Sequence, residues 1–118
     1  YIHSEAYQSG ELKHGSIALI EKGTNVITSI SQSGLLEKMQ SNLKEVTSRG
    51  AYVMAIAFEG NQDIKDYAHE VIFIPKTMDL LSPILAVVPT QLIAYHVAKF
   101  KGLDVDKPRN LAKSVTVE

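Results

Sequence analysis

A lysine near the C-terminus carries the most distinctive chemistry in this sequence. Lys113 lies in the run Asn110-Leu-Ala-Lys-Ser114, within a stretch that shows neither helical nor strand periodicity. A neutral lysine amine can attack a carbonyl and form a Schiff base, provided that burial or a nearby cation lowers the pKa of the amine. Most lysines near a chain end are instead solvated charges. The residues alone favour the solvated interpretation and leave Lys113 as a candidate nucleophile.

A histidine early in the chain is the second candidate. His14 follows Glu11 by three residues in a predicted run of helical turns over residues 5–14, which Gly15 ends. This spacing places both side chains on one helical face and is compatible with a metal ligand pair. A dinuclear site would need a second such motif, and the sequence has none, so we predict no metal. Two interpretations remain, a surface histidine at a helix end or a group that transfers protons near neutral pH.

A serine-containing loop over residues 31–34 joins a predicted strand to a predicted helix. Such a turn can direct backbone N–H groups at a phosphate, or it can simply supply a serine N-cap. The N-cap interpretation is favoured. The two later histidines are not predicted to be ligands: His69 is expected to be structural or solvent-facing, and His96 to lie in the core.

These residues are carried by an alternating pattern of strands and helices. Residues 51–58 form a continuous apolar run, which is typical of a strand buried on both faces of a parallel sheet. The sequence predicts strands over residues 25–31, 51–58 and 70–75, helices over 35–49 and 82–101, a short helix or turn over 63–69, and a fourth short strand over 17–20. The order predicts a doubly wound α/β layer with right-handed crossovers.

The last predicted helix is unusually apolar. Ser82 is expected to cap it, with Pro83 at the first position, and Pro89 must kink or restart it. Apolar residues occur on more than one side, so we expect the helix to be largely buried, in part against a surface outside this chain. Met39 in the preceding helix is expected to fill the core.

Composition narrows the function classes. The chain has 118 residues, 45% of them hydrophobic and 21% charged, and a net charge of −1. These values are ordinary for one globular domain and give no electrostatic signature of nucleic acid or anionic membrane binding. The absence of cysteine excludes disulfides, thiolate metal sites and a cysteine nucleophile. No uninterrupted apolar run of membrane-spanning length and no signal peptide is seen, so a cytoplasmic location is expected.

Three blocks of the sequence resemble the glucosamine-6-phosphate synthase family, the glutamine:fructose-6-phosphate amidotransferases. The resemblance rests on Tyr1-Ile-His-Ser-Glu-Ala-Tyr with Gly10-Glu-Leu-Lys-His-Gly15, on Val88-Pro-Thr-Gln-Leu-Ile-Ala-Tyr-His96, and on Asp104-Val-Asp-Lys-Pro-Arg-Asn-Leu-Ala-Lys-Ser-Val-Thr-Val-Glu118. The blocks span the chain in the family's order. The resemblance implies a three-layer αβα sandwich of the sugar isomerase (SIS) type with a mainly parallel sheet, of which residues 1–102 are the C-terminal lobe and residues 103–118 a C-terminal catalytic tail.

The resemblance also implies roles for individual residues. The lysine at the position of Lys113 opens the fructose ring and holds the sugar as an imine, and Ala112 also contacts the substrate. The histidine at the position of His14 assists ring opening from the neighbouring subunit. Leu111, Ala112 and Val115 would line a passage for ammonia. Ser16 departs from the proline common in the family, which leaves the placement of His14 less constrained.

The implied reaction converts fructose 6-phosphate and glutamine-derived ammonia into glucosamine 6-phosphate, without a metal or organic cofactor, in a homodimer at least. The family's proton-shuttling glutamate, its phosphate-binding loop, its N-terminal SIS lobe and its glutaminase domain are absent from this sequence, so this polypeptide is not expected to complete the reaction alone. The alternatives are a non-catalytic sugar-phosphate-binding module on the same fold and a deglycase acting on fructosamine phosphates.

Overall fold

The computed structural model describes residues 1–107 and 109. Within these residues the strands are β1 (Asn25–Ile30), β2 (Tyr52–Phe58) and β3 (Glu70–Ile74), and the α-helices are α1 (Leu36–Ser48) and α2 (Ser82–Phe100). The described 3-10 helices are Glu11–His14, Ser16–Leu19, Ser33–Leu35, Gln62–Asp66 and Asp79–Leu81. The three main predicted strands and both long predicted helices are confirmed, each boundary lying within one residue of its prediction.

The strands form a parallel sheet in the order β1-β2-β3. Val26 is paired with Val53 across the first ladder, and Ala55 with Val71 across the second. Because neighbouring parallel strands cannot be joined by a tight hairpin, each connection must be a crossover that passes over one face of the sheet. The predicted parallel α/β layer is therefore confirmed.

Side chains of β2 alternate between two packed layers. Val53, Ala55 and Ala57 are fully buried in a cluster that includes Leu43 and Val46 of α1. Ile56 and Phe58 point to the opposite face and pack with Ile74 of β3 and Ala86 of α2. Because α1 and α2 cover opposite faces, the arrangement is the predicted three-layer αβα sandwich. Burying a side chain such as Ile56 contributes about 1.5–3 kcal/mol.

The turn after α1 requires a glycine. Gly50 has φ +92°, a conformation that costs other residues energy, and a Cβ placed there would lie 2.9 Å from the backbone Cα of Lys22. The Gly50 carbonyl accepts a hydrogen bond of 2.9 Å from the N–H of Gly23, which starts the turn into β1. This glycine thus follows the end of α1 and brings two chain segments together.

The start of α2 differs from the prediction. The 3-10 helix Asp79–Leu81 precedes it directly, so Ser82 is already helical rather than the cap. Ser82 is 1% exposed, and its hydroxyl donates a 2.8 Å hydrogen bond to the carbonyl of Asp79. The serine therefore joins the short turn to the helix. Pro83 does lie in the first turn, where its missing N–H costs nothing.

The rest of α2 also departs from the predictions. The helix continues through Pro89 without restarting, although that proline cannot donate to the carbonyl of Leu85. The prediction of a largely buried helix is wrong for the described chain, since among its residues only Ser82, Ala86 and Pro89 are buried. The large exposed apolar residues are Ile84, Val87, Val88, Leu92, Tyr95, Val97 and Phe100. The sheet covers one side of the first half, and the outer side faces solvent.

The N-terminal segment, residues 1–20, contains short turns rather than longer elements. Helical turns occur at Glu11–His14 but not over residues 5–10. The predicted fourth strand over residues 17–20 is wrong. Its backbone instead makes the local bonds of the 3-10 helix Ser16–Leu19, including a 3.1 Å bond from the N–H of Ile20 to the carbonyl of Ile17.

Replacement of Gly50 tests the close approach at the end of α1. We expect Gly50→Ala to lower the free energy of unfolding by roughly 1–3 kcal/mol, because it adds backbone strain and a contact with Lys22. Gly23→Ala is the matched control, since φ is +89° there but no atom lies within 4 Å of the added Cβ. Urea unfolding of the two purified variants measures the difference, and equal losses would contradict the assignment.

Candidate functional site

His14 lies at the end of the 3-10 helix Glu11–His14, with its side chain exposed. The neighbouring residues fix this turn to the body of the protein. Leu12 packs against the core that includes α1, and the amine of Lys13 lies 2.6 Å from the carboxylate of Glu45 in α1. Since Leu12 and Lys13 are both directed at the protein, His14 is presented outward.

A second attachment lies just before this turn. The hydroxyl of Ser9 accepts a 3.0 Å hydrogen bond from the side-chain amide of Asn42 and lies 2.8 Å from the sulfur of Met39. Met39 is partly buried and packs against the core, which agrees with its predicted role as a filler. The N-terminal segment is thus held on α1 at two places.

Glu11 and His14 do not belong to a metal site in the described residues. In the described part of the chain, no group of three or more histidine, aspartate or glutamate side chains has a geometry suited to a metal ion. The pair alone offers two ligands, whereas metal sites in proteins generally use more.

Four of the predicted site residues lie in the C-terminal tail, residues 103–118. Lys113, Leu111, Ala112 and Val115 lie outside the described residues. The start of the tail is described, and a side chain there forms hydrogen bonds with its backbone. Asp104 accepts hydrogen bonds through Oδ1 from the N–H groups of Asp106, at 2.9 Å, and Lys107, at 3.2 Å. This aspartate turn redirects the chain after α2.

Arg109 then meets the first residue of the sequence. Its backbone N–H donates a hydrogen bond to the hydroxyl of Tyr1, and its guanidinium lies 4.6 Å from the centre of the Tyr1 ring. Sequence reasoning did not identify this pair, because the two residues are 108 positions apart and nothing local links them. The contact brings the tail to the segment that carries His14.

A cleft of about 360 Å³ opens beyond the carboxyl ends of β1 and β2. Its polar lining is contributed by Gln32, Ser33, Glu59, Asn61, Asp63 and Lys76. In open α/β sheets, ligands bind at this edge. The sequence did contain a signal for the cleft, since the loops that follow consecutive parallel strands converge, but Asn61 and Lys76 were not singled out.

The serine loop over residues 31–34 lines this cleft without capping a helix. Neither Ser33–Leu35 nor α1 has a side-chain N-cap bond, so the predicted serine cap is wrong. The hydroxyl of Ser33 instead lies 3.4 Å from the Asp79 carboxylate, which links the loop to the turn before α2. The reason is the intervening 3-10 helix, which delays the start of α1 until Leu36.

An apolar groove of about 380 Å³ lies between β3 and the second half of α2. Its lining residues are Ile72, Pro89, Leu92, Ile93, His96 and Val97. The prediction that His96 is a core histidine is wrong for the described chain, because the side chain is exposed and contacts Tyr95 edge-on at 5.3 Å. The groove is open on the same side as the exposed face of α2.

His69 has the structural role predicted as one of its alternatives. Its Nδ1 accepts a 3.1 Å hydrogen bond from the N–H of Val53, and its ring stacks on Tyr52 with centres 4.6 Å apart. The hydroxyl of Tyr52 donates a 3.2 Å hydrogen bond to Glu70, and this bond raises the pKa of the tyrosine above its ordinary value of 10.0. These contacts join the amino ends of β2 and β3.

Comparison with protein families gives one match that covers most of the chain. The family model described as "SIS domain" matches residues 1–99. The match includes His14 and α2 as far as Lys99, and it ends before the C-terminal tail.

Curated relatives are similar over the whole chain. The glutamine–fructose-6-phosphate aminotransferase (isomerizing) of Clostridium tetani is 60% identical over 118 residues, and that of Caldanaerobacter subterraneus subsp. tengcongensis is 59% identical over 118 residues. Each alignment covers 100% of this chain and 19% of the relative. The chain therefore spans about a fifth of the length of these relatives.

A solved structure has the same fold. The C-terminal domain of glucosamine-fructose-6-phosphate aminotransferase from Francisella tularensis superposes with a TM-score of 0.80 at 39% identity, covering 92% of this chain and 31% of that one. The sequence resemblance and the SIS-type fold expected from it are thereby confirmed.

The hydrogen bond between Tyr52 and Glu70 gives a pH prediction. The neutral phenol donates to Glu70, so the folded state holds the proton more tightly than the unfolded state does. The contribution of this bond to stability is therefore present below pH 10.0 and lost as the pH rises through the raised pKa. We expect Glu70→Gln to shift the titration of Tyr52 back toward 10.0.

The measurement is ultraviolet difference absorbance of the phenolate, with Tyr52→Phe used to subtract the other four of the five tyrosines. Glu59→Gln is the control, because Glu59 lies in the cleft at the opposite end of β2. A Tyr52 titration that does not move in Glu70→Gln would contradict the assignment.

Proposed function

The chain belongs to the SIS-domain family, and on that premise we propose that it is the C-terminal isomerase portion of a glutamine–fructose-6-phosphate aminotransferase. In this proposal the whole enzyme converts fructose 6-phosphate and glutamine-derived ammonia into glucosamine 6-phosphate. This chain supplies Lys113 and His14, and neither a metal nor an organic cofactor takes part.

One observation carries the proposal. The match to the general family model ends at residue 99, whereas the alignments to the aminotransferases continue through the tail to cover all 118 residues. A module that only binds sugar phosphates has no need of a shared tail with a lysine amine. The tail therefore favours the aminotransferase over the non-catalytic module.

The proposed role of Lys113 is covalent. Its neutral amine attacks the C2 carbonyl of open-chain fructose 6-phosphate, and loss of one water from the carbinolamine leaves an imine. A covalent intermediate of this kind splits one difficult reaction step into two easier ones. It requires a site that excludes water, because a solvated lysine stays protonated. Ala112 contacts the bound sugar, and Leu111, Ala112 and Val115 line the passage through which ammonia arrives.

The proposed role of His14 is proton transfer at the ring oxygen of a sugar held by another subunit. The side chain of His14 is exposed, and its turn is attached to α1. Both observations support this role, because a residue that acts across an interface must face away from its own lobe. Imidazole is suited to the task since its unperturbed pKa is near neutrality. The proposal therefore includes at least a homodimer.

The exposed apolar side of α2 fits a lobe of a larger polypeptide. With its preceding turn, Asp79–Phe100 is long and apolar enough by composition to cross a membrane, and only 17% of its most apolar window is buried. We favour a protein surface as its cover, because the first half already packs on the sheet and the polar residues Gln91, His96 and Lys99 interrupt the second half. The relatives are about five times longer than this chain, so an N-terminal SIS lobe and a glutaminase domain are the proposed neighbours.

Trapping the imine tests the role of Lys113. We expect borohydride to fix fructose 6-phosphate on Lys113 in the full-length polypeptide, since reduction turns the imine into a stable secondary amine. Lys113→Arg should abolish the adduct, because a guanidinium does not form it, while the tail variant Lys107→Arg should retain it. Peptide mass spectrometry locates the label. An adduct that persists in Lys113→Arg would overturn the assignment.

Mixing variants tests whether His14 acts across subunits. We expect His14→Gln to lower activity by roughly 10²–10⁴, as loss of a proton-transfer group does. If His14 serves the partner, a dimer of one His14→Gln subunit and one Lys113→Arg subunit has one intact site. Statistical mixing then restores about a quarter of wild-type activity, since half the dimers are mixed and each has one of two sites. No restoration would show that His14 acts within its own subunit.

A further inference from the structure

The tail of this protein is guided by its own side chains before it reaches Lys113. The N–H of Leu103 bonds to the carbonyl of Ala98 at 2.9 Å, which ends α2 with Gly102 at φ +68°. Asp104 then holds the N–H groups of Asp106 and Lys107. These contacts turn the chain away from the helix axis, but they fix nothing beyond Lys107.

The next contact is made with the other end of the sequence. Tyr1 presents two groups to Arg109: its hydroxyl accepts the backbone N–H, and its ring lies 4.6 Å from the guanidinium. A cation over an aromatic face is attractive, and the hydrogen bond fixes the backbone directly. Both interactions use one residue of the tail, four positions before Lys113.

We propose that Tyr1 and Arg109 form an anchor that positions the tail, and through it Lys113, for imine formation. The inference rests on the proposed function, because it concerns the approach of that lysine to the sugar. Tyr1 and Arg109 are positioning residues in this proposal, since neither needs to touch the substrate.

The length of the chain gives the size of the effect. Four residues span at most about 14 Å, whereas the six residues that follow Lys107 span about 21 Å. By chain length alone, the volume within reach of position 113 is about threefold larger when counted from Lys107 than from Arg109. Loss of orientation adds to this, so we expect imine formation to slow by roughly 3- to 10-fold when the anchor is removed.

The variants separate the two halves of the contact. Tyr1→Leu removes both the hydroxyl and the ring, Tyr1→Phe keeps the ring, and Arg109→Lys keeps the charge. Tyr7→Leu is the matched control, because Tyr7 is another exposed tyrosine of the N-terminal segment, which bonds to Glu5 rather than to the tail. All are made in the full-length polypeptide.

The first readout is the rate of borohydride-trapped adduct on Lys113 with fructose 6-phosphate. We expect Tyr1→Leu to trap 3- to 10-fold more slowly, Tyr1→Phe and Arg109→Lys to be intermediate, and Tyr7→Leu to match the wild type. At saturating sugar the loss should remain in kcat rather than be confined to KM. A wild-type trapping rate in Tyr1→Leu would overturn the proposal.

The second readout does not depend on Lys113 chemistry. Trypsin cleaves after Arg109, and an anchored backbone is a poor protease substrate. Without sugar, Tyr1→Leu should be cleaved there several-fold faster than the wild type and Tyr7→Leu. If the wild type forms no adduct, the proposed function fails, and this readout still decides the anchor. Equal cleavage of Tyr1→Leu and the wild type would overturn it.

Discussion

Burial of β2 on both faces is the constraint on which the rest of this structure depends. A strand with Val53 and Ala55 on one side and Ile56 on the other must have a layer above it and a layer below it. The flanking strands run parallel to β2, so a crossover connection joins each pair of consecutive strands. The loops that follow the strands therefore lie at the same end of the sheet. The cleft beyond β1 and β2 follows from that geometry.

The two layers are filled to different degrees. On the α1 side, the chain supplies its own cover, because residues of α1 and of Gln62–Asp66 are buried against β2. On the α2 side, Ile56 and Phe58 are covered, but Ile27 of β1 remains 50% exposed and Leu92 of α2 51% exposed. An apolar face of this kind is expected of a lobe that completes its core with other polypeptide. The open groove and the exposed side of α2 are thus two parts of one unfilled layer.

Whether a feature could be predicted from the sequence depends on whether neighbouring residues alone determine it. The apolar run of β2 is recognisable in the sequence, because burial dictates its residue types over many positions. The cap of α2 was misassigned because the 3-10 turn Asp79–Leu81 adds helical residues that periodicity cannot separate from the helix. A serine of the loop over residues 31–34 and Ser82 were assigned as caps from residue type alone. The hydroxyl of Ser33 instead bonds to Asp79 across 46 positions, which only tertiary structure determines, and that of Ser82 bonds to Asp79 within the preceding turn.

His96 is not covered within the described chain, although it was predicted to be, and this chain supplies only part of the cover predicted for α2, for a different reason. Apolar composition predicts that a surface will be covered, but it does not say whether the covering residues belong to the same chain. The candidate site shows the same limit. His14 could be selected by its chemistry and by resemblance, while its outward position depends on Leu12 and Lys13 meeting α1. Tyr1 and Arg109 could not be paired at all, since no local pattern relates them.

His14 lies on a segment with little regular structure, and this has an energetic consequence. His14 ends a four-residue turn with no buried residue, so contacts made by its neighbours hold it in place. The ion pair of Lys13 with Glu45 is partly exposed, and such a pair contributes about 0.2–1 kcal/mol after screening. The contact of Arg109 with Tyr1 is similarly exposed. Weak, separate contacts of this kind open at a smaller free-energy cost than a buried sheet does. A site that must admit a substrate, exclude water and then release a product gains from that division, because opening it disturbs none of the core that β2 organises.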